Sequence, residues 1–196
     1  MNRKFRLLGY YNYTVILTYL GMICGFTGII SVMENNIKKA IICLICAGIC
    51  DMFDGTVAAT MKRTVQEKTF GIQIDSLSDL ICFGVLPATI SYRLNSDTKI
   101  AICISALYAL CALIRLAYYN VDEQERQTQS SERRVYYTGM PVTLSAVFIP
   151  LISILTKCFS NNTHRIAMYA IAVMAVLFLT PFRLKKPHFS KKKKEA

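Results

Sequence analysis

Apolar residues in this chain are gathered into long runs, unlike the short alternations of a soluble core. Residues 14–33 (TVILTYLGMICGFTGIISVM) carry no charge. A helix of that length crosses a hydrocarbon layer of about 30 Å. Residues 140–156 and 166–182 are comparable, and 100–119 holds a single charge, Arg115. Residues 40–60 and 71–92 also read as spans, although each contains two aspartates. The pattern predicts six crossings and an all-α integral membrane protein. A soluble helical bundle needs polar faces on its helices, and these segments have none.

The polar residues between the runs set the expected orientation. Arg3, Lys4 and Arg6 precede the first span; Lys62, Arg63 and Lys68 follow the second; Arg126, Arg133 and Arg134 follow the fourth. Arg183, Lys185, Lys186 and Lys191 to Lys194 close the chain. The opposite side receives only Lys38, Lys39, Arg93, Lys99, Lys157 and Arg165. By the positive-inside rule, both termini and the two longer connections face the cytoplasm, as expected for a multi-pass protein of the cell membrane. MNRKFRLLGYYNY mixes basic residues with Phe, Leu and Tyr, which predicts an amphipathic helix at headgroup level before the first span. Residues 121–138 read as a charged cytoplasmic connection. Residues 1–184 are expected to form one transmembrane domain, and 185–196 a basic cytoplasmic tail.

Composition then narrows the possible partners. The net charge is +11 over 196 residues. A basic excess on one face draws a membrane protein toward anionic lipid. Nucleic acid is excluded as a partner, because no soluble basic domain exists to bind it. The eight cysteines lie mostly within spans, where Cys acts as a small hydrophobe. Cys43 and Cys46 have CxxC spacing but lack the second pair or His cluster of a zinc site. The first apolar run is too long for a cleavable signal and no small-residue cleavage site closes it. Asn161-Asn162-Thr163 matches a glycosylation sequon, a weak three-residue signal.

The chemistry is concentrated in residues 50–80, CDMFDGTVAATMKRTVQEKTFGIQIDSLSDL. A charge near the bilayer centre costs about 2.5–3.5 kcal/mol even on lenient scales, so intramembrane acids are functional candidates. Asp51 and Asp54 are three apart and Asp75 and Asp79 four apart, so each pair shares one helix face. Gly55 and Ala58 extend the first face and Gly71 begins the second; small residues permit close approach of a helix or a ligand. The pairs lie toward the cytoplasmic ends of antiparallel neighbours, so four carboxylates can converge. Such a set repels itself unless a cation sits within it. Hard divalent ions, Mg²⁺ or Mn²⁺, suit oxygen ligands and commonly join carboxylates to substrate phosphates. The competing readings are a structural set paired with Lys62 or Arg63, a proton path, and a cation transporter. Transport requires a polar route to the outer side, and the outer halves of the spans are almost uniformly apolar.

These residues resemble the CDP-alcohol phosphotransferases, which carry D-x2-D-G-x2-A-R-x8-G-x3-D-x3-D. Asp51, Asp54, Gly55 and Ala58, then Gly71, Asp75 and Asp79, fit that pattern across two consecutive spans. The resemblance implies that Asp51, Asp54, Asp75 and Asp79 hold divalent metal at a CDP-linked diphosphate, with Asp79 as general base. It also implies that Gly55, Ala58 and Gly71 let the nucleotide lie against the backbone. Two departures stand out. Ala59 occupies the motif Arg position, and residues 60–70 make an eleven-residue link where the family has eight. Either Lys62 or Arg63 binds the phosphates in its stead, or the chain is an inactive variant.

FGIQIDSLSDLICFGVLPA (70–88) and RLAYYN…YYTGMPVT (115–143) look like the serine-accepting branch of that family. That branch transfers the phosphatidyl group of CDP-diacylglycerol to L-serine, forming phosphatidylserine and CMP. The alternatives within the family are glycerol 3-phosphate or inositol as acceptor. A serine hydroxyl needs a base within hydrogen-bond reach, for which Asp79 is placed. Arg115 can offer a bidentate partner to the serine carboxylate and Asn120 a hydrogen bond; the bland readings are a snorkelling arginine and a helix-end cap. Arg133 and Arg134 are candidates for attracting lipid phosphate, but an ordinary solvated loop is the favoured reading. Family members are typically homodimers, which sets the expected assembly.

Overall fold

The computed structural model describes residues 9–95, 99–129, 136–159, 163–181 and 183–185. The expected headgroup-level helix falls largely outside these residues, as do the tail beyond 185, the sequon asparagines, and Arg133 and Arg134. The described part of the N-terminal segment is a non-helical approach to a 3-10 turn, Tyr13–Val15.

Seven α-helices follow: α1 (Ile16–Met33), α2 (Ile37–Ala58), α3 (Val65–Asp79), α4 (Leu86–Leu94), α5 (Lys99–Gln129), α6 (Ser145–Phe159) and α7 (Thr163–Leu179). A π-helical turn, Leu80–Val85, joins α3 to α4 without a break, making one rod. Among the described residues, four helical segments are long and apolar enough to cross a membrane: Tyr13–Met33, Ile37–Ala58, Val65–Leu94 and Lys99–Glu125. The last two apolar stretches, Val142–Ile154 and Ile166–Leu179, are shorter. Large apolar side chains such as Ile16, Ile23, Phe26, Leu107, Leu110 and Val176 stand on the outside. A protein in water rarely shows so continuous an apolar exterior.

Local sequence explains the boundaries. The Asn36 side chain accepts from the Lys39 backbone N–H at 3.1 Å, capping α2. The Thr64 hydroxyl accepts from the Glu67 N–H, and Glu67 returns a bond to the Thr64 N–H, a capping box opening α3. The third helical element therefore starts at Val65, before the expected 71. Residues 121–129, read from sequence as connection, instead continue α5 to Gln129. Their Glu, Gln and Arg are good helix formers and no Gly or Pro interrupts them.

A second difference is a small ladder in a chain expected to be all-α. Tyr136–Thr138 (β1) pairs antiparallel with Arg183–Lys185 (β2), Tyr137 opposite Leu184. It ties the loop after α5 to the chain leaving α7. Gly139 follows at φ +74°, and a Cβ there would meet the Thr180 carbonyl at 3.1 Å.

Packing centres on α1 against α2, and on α5 against α7, with the α3–α4 rod between them. Leu44, Phe83, Leu86, Ile90, Tyr108, Ala112 and Ile171 fill the middle. The Tyr108 and Phe178 rings lie 5.3 Å apart. Two hydroxyls of α1 bond back to their own helix: Thr27 donates to the Ile23 carbonyl and Ser31 to that of Thr27.

The closest approach is made by α1. A Cβ on Gly25 would lie 2.6 Å from Cys82 Sγ and 3.2 Å from Cys82 Cα. Gly25→Ala therefore overpacks this contact and destabilises the detergent-solubilised protein by about 1–3 kcal/mol, read as a lowered thermal midpoint. Adding Cys82→Ala recovers part of the loss. An unchanged midpoint in the single variant would contradict the packing.

Candidate active site

α2 and α3 form an antiparallel hairpin whose facing sides carry the acids. Asp51 and Asp54 sit in the last turns of α2, Asp75 and Asp79 in the last turns of α3. Carboxylate oxygens of Asp51, Asp54 and Asp75 lie within 4.8 Å of one another. Asp79 stands outside that tight group, yet it lines the same narrow cavity as the other three, together with Thr18, Ser78 and Phe83. Three converging carboxylates present only hard oxygen donors, a set that fits Mg²⁺ or Mn²⁺ and not a soft ion.

A larger cavity of about 220 Å³ opens beside the acids. Asp54, Gly55 and Ala58 line it from α2; Gly71, Ile72 and Asp75 from α3; Thr14 and Val15 from the 3-10 turn and Thr18 from the start of α1. All three small residues named from sequence, Gly55, Ala58 and Gly71, thus reach one space. So does Arg63 from the α2–α3 link. A Cβ on Gly71 would lie 3.2 Å from an Arg63 terminal nitrogen, and the buried Arg63 Nε has no hydrogen-bond partner. Ala59 and Lys62 are exposed and do not line the cavity.

The link is held at both ends. Tyr13 Oη and Thr60 Oγ1 are hydrogen-bonded at 2.9 Å, and Tyr10 Oη donates to Gln66 Oε1 at 3.0 Å. The Tyr10 ring also meets that of Phe70 edge-on at 5.4 Å. Together with the Thr64–Glu67 capping box, these contacts hold the segment that delivers Arg63.

Sequence reasoning missed the contribution of α1. Thr18 Oγ1 donates to Asp54 Oδ2 at 3.5 Å, and Ser78 Oγ donates to the Thr18 carbonyl at 3.3 Å. The available signal was the spacing Thr14, Thr18, Gly21, Gly25, which places polar and small residues on one stripe of an otherwise apolar span.

Arg115 and Asn120, paired in the sequence reading as serine ligands, are not brought together. Arg115 is buried; its Nε donates to the Met140 carbonyl and its Nη2 to the Gly139 carbonyl at 3.4 Å. It lines a separate cavity of about 340 Å³ with Tyr118, Tyr119, Asp122 and the end of α7, and none of the four aspartates reaches that space. Asn120 turns toward α3, where its Oδ1 accepts from Ser76 Oγ at 2.7 Å.

Residues 11–180 match the CDP-alcohol phosphatidyltransferase family model, so the chain belongs to that family of transferases. A CDP-diacylglycerol–serine O-phosphatidyltransferase of Bacillus subtilis (strain 168) is 26% identical over 183 residues, 92% of this chain and 93% of the relative. A protein of the same name from Mycobacterium tuberculosis (strain H37Rv) is 34% identical over 132 residues, 67% of this chain but 45% of that longer protein. An archaetidylserine synthase of Methanothermobacter thermautotrophicus is 31% identical over 162 residues, 82% of this chain and 65% of the relative.

The geometry separates the acids by place, with Asp51, Asp54 and Asp75 in the tight group and Asp79 outside it. Asp54→Asn or Asp75→Asn should weaken Mn²⁺ binding, followed by electron paramagnetic resonance, by at least the 10- to 100-fold that losing an outer-shell partner typically costs. Asp79→Asn should change it far less. Equal losses in all three variants would place Asp79 inside the tight group.

Proposed function

We propose that this protein transfers the phosphatidyl group of CDP-diacylglycerol to L-serine, forming phosphatidylserine and releasing CMP. The observation that carries the reading is one cavity lined by Asp54, Gly55, Ala58, Arg63, Gly71 and Asp75. It joins acids suited to a phosphate-bound cation with small residues that admit a nucleotide and a guanidinium suited to phosphate. The choice of serine is supported by the names of the relatives and by the DSLSD and GMP stretches. Glycerol 3-phosphate or inositol is the alternative acceptor.

Asp51, Asp54 and Asp75 would hold Mg²⁺ or Mn²⁺, which when bound supplies positive charge to the diphosphate and to the departing CMP. Asp79, one turn beyond Asp75, takes the proton of the serine hydroxyl as that oxygen bonds to the β-phosphorus. The bond from this phosphorus to the bridging oxygen breaks, and CMP leaves with the electron pair. Gly55, Ala58 and Gly71 let the nucleotide lie against the two helices. Asn120, beside Ser76 on α3, remains the serine-binding candidate, whereas Arg115 fixes the Gly139–Met140 turn. The same reading places six spans in the cell membrane, the two shorter apolar helices completing the count. Residues 1–184 form the transmembrane domain and 185–196 a cytoplasmic tail; the site faces the cytoplasm and the protein is a homodimer.

Arg63 takes the place of the motif arginine absent at Ala59. A guanidinium can grip phosphate through two parallel N–H bonds, which neither Ala59 nor the exposed Lys62 provides. Arg63→Ala should cut kcat/KM for CDP-diacylglycerol roughly 10- to 150-fold, the equivalent of a charge-assisted contact of about 1.5–3 kcal/mol. Lys62→Ala should cost far less, and Ala59→Arg should restore activity in the Arg63→Ala background. Greater damage from Lys62→Ala would reverse the assignment.

The acceptor is tested with purified protein, CDP-diacylglycerol and Mg²⁺ or Mn²⁺. CMP release should depend on L-serine. Release driven equally by glycerol 3-phosphate or inositol would sink the serine reading while leaving the nucleotide site intact.

A further inference from the structure

The rod of α3, the π-helical turn and α4 carries Pro87 in the first turn of α4. Proline has no N–H, so the carbonyl four residues earlier, that of Phe83, loses its ordinary α-helical donor, and the ring crowds the same carbonyl. The helix widens here into the π-helical turn Leu80–Val85, which begins at the residue after Asp79. Two hydroxyls meet the stranded carbonyl. Tyr108 Oη on α5 donates to Phe83 O at 2.9 Å, and Ser145 Oγ at the start of α6 donates to it at 3.4 Å. Both residues are 0% exposed, so water cannot stand in for either donor. The approach of α5 is close: a Cβ on residue 84, a glycine, would lie 3.3 Å from the Ala112 Cβ, one turn from Tyr108.

We propose that Tyr108 and Ser145 are positioning residues for Asp79, pinning the wide turn to Leu80–Val85 and thereby fixing the direction in which the Asp79 carboxylate faces. The proposal rests on the assignment of Asp79 as base. A π-helical turn absorbs one extra residue, and each residue of an α-helix advances about 100° around the axis. If the extra residue were absorbed between Asp75 and Asp79, Asp79 would rotate by about that angle and leave the wall it shares with the other three acids. Asp75 lies before the displaced stretch and would keep its place beside Asp51 and Asp54. Two donors on the Phe83 carbonyl, from two different helices, hold the wide turn C-terminal to Asp79.

The test uses the full chain with Tyr108→Phe, Ser145→Ala and the double variant. Tyr108→Phe removes only an oxygen, and Ser145→Ala is milder still. The double variant should lose at least tenfold in kcat for serine-dependent CMP release. Its KM for CDP-diacylglycerol and its Mn²⁺ affinity should stay within twofold, while the solvent deuterium isotope effect on kcat rises because proton transfer has become harder. A fall in kcat that tracks the number of Mn²⁺-binding molecules, with the isotope effect unchanged, would mean that the hydroxyls serve only to hold the fold together. That result overturns the proposal, as does an unchanged kcat or a loss expressed in KM. Asp79→Asn in the same assay isolates the parent reading: near-normal kcat there defeats the base assignment whatever the hydroxyl variants do.

Discussion

Four carboxylates inside an apolar bundle are the constraint to which the rest of this structure answers. Each would be costly in hydrocarbon and each repels the others, so they require a shared pocket, close walls and a compensating positive charge. The hairpin of α2 and α3 gathers them, but a hairpin has two open sides. α1 closes one. Its small residues let it lie almost against the π-helical turn, with Gly25 facing Cys82 at a separation no side chain would tolerate. That approach brings the Thr18 hydroxyl to Asp54 and the Thr18 carbonyl to Ser78. The first span therefore works as a wall of the site as well as a membrane anchor.

The same accounting governs polar groups away from the acids. At membrane depth a carbonyl or hydroxyl without a partner is costly, so each irregularity must be matched from a neighbouring helix. Pro87 strands the Phe83 carbonyl, and Tyr108 and Ser145 supply it. The left-handed turn at Gly139 exposes two carbonyls, and buried Arg115 donates to both. In each case α5 provides a donor, facing the rod with Tyr108 and the turn with Arg115. Arg115, read from the sequence as a serine ligand, here donates to main-chain carbonyls and lines a different cavity from the acids.

Much of this was legible in the sequence, and the misses have physical causes. The spans, the two registered aspartate pairs and the stripe of Gly55, Ala58 and Gly71 follow from helical periodicity, which is local. The capping box of α3 was also local: Thr64 and Glu67 stand three apart, just ahead of the helix. The widened turn had a local signature too, since Pro87 names the carbonyl it strands. Arg115 and Asn120 are five residues apart on one helix, about 140° around its axis, so helical periodicity does not set them on one face. The β1–β2 ladder and the wall formed by α1 were not legible, because both depend on which distant segments meet.

The displaced arginine shows why a motif is better read as a set of places than as a set of positions. In the family pattern an arginine directly follows the small residue that Ala58 represents here. In this chain the helix ends at Ala58, Ala59 faces outward, and the link is longer. An enlarged turn gains freedom, which would ordinarily blur the position of anything it carries. Here the gain is removed by contacts on either side of Arg63: Tyr13 with Thr60 before it, the Thr64–Glu67 box after it, and Tyr10 with Gln66 beyond. A guanidinium on a tethered link can therefore be as well placed as one on a helix. The Arg63 Nε is buried without a hydrogen-bond partner, and a terminal nitrogen of the same guanidinium lies close to Gly71. Changing the motif arginine without lengthening the link would leave the cavity with acids on one side and no fixed cation opposite them. On the role proposed for Arg63, the substitution and the insertion are two halves of one rearrangement.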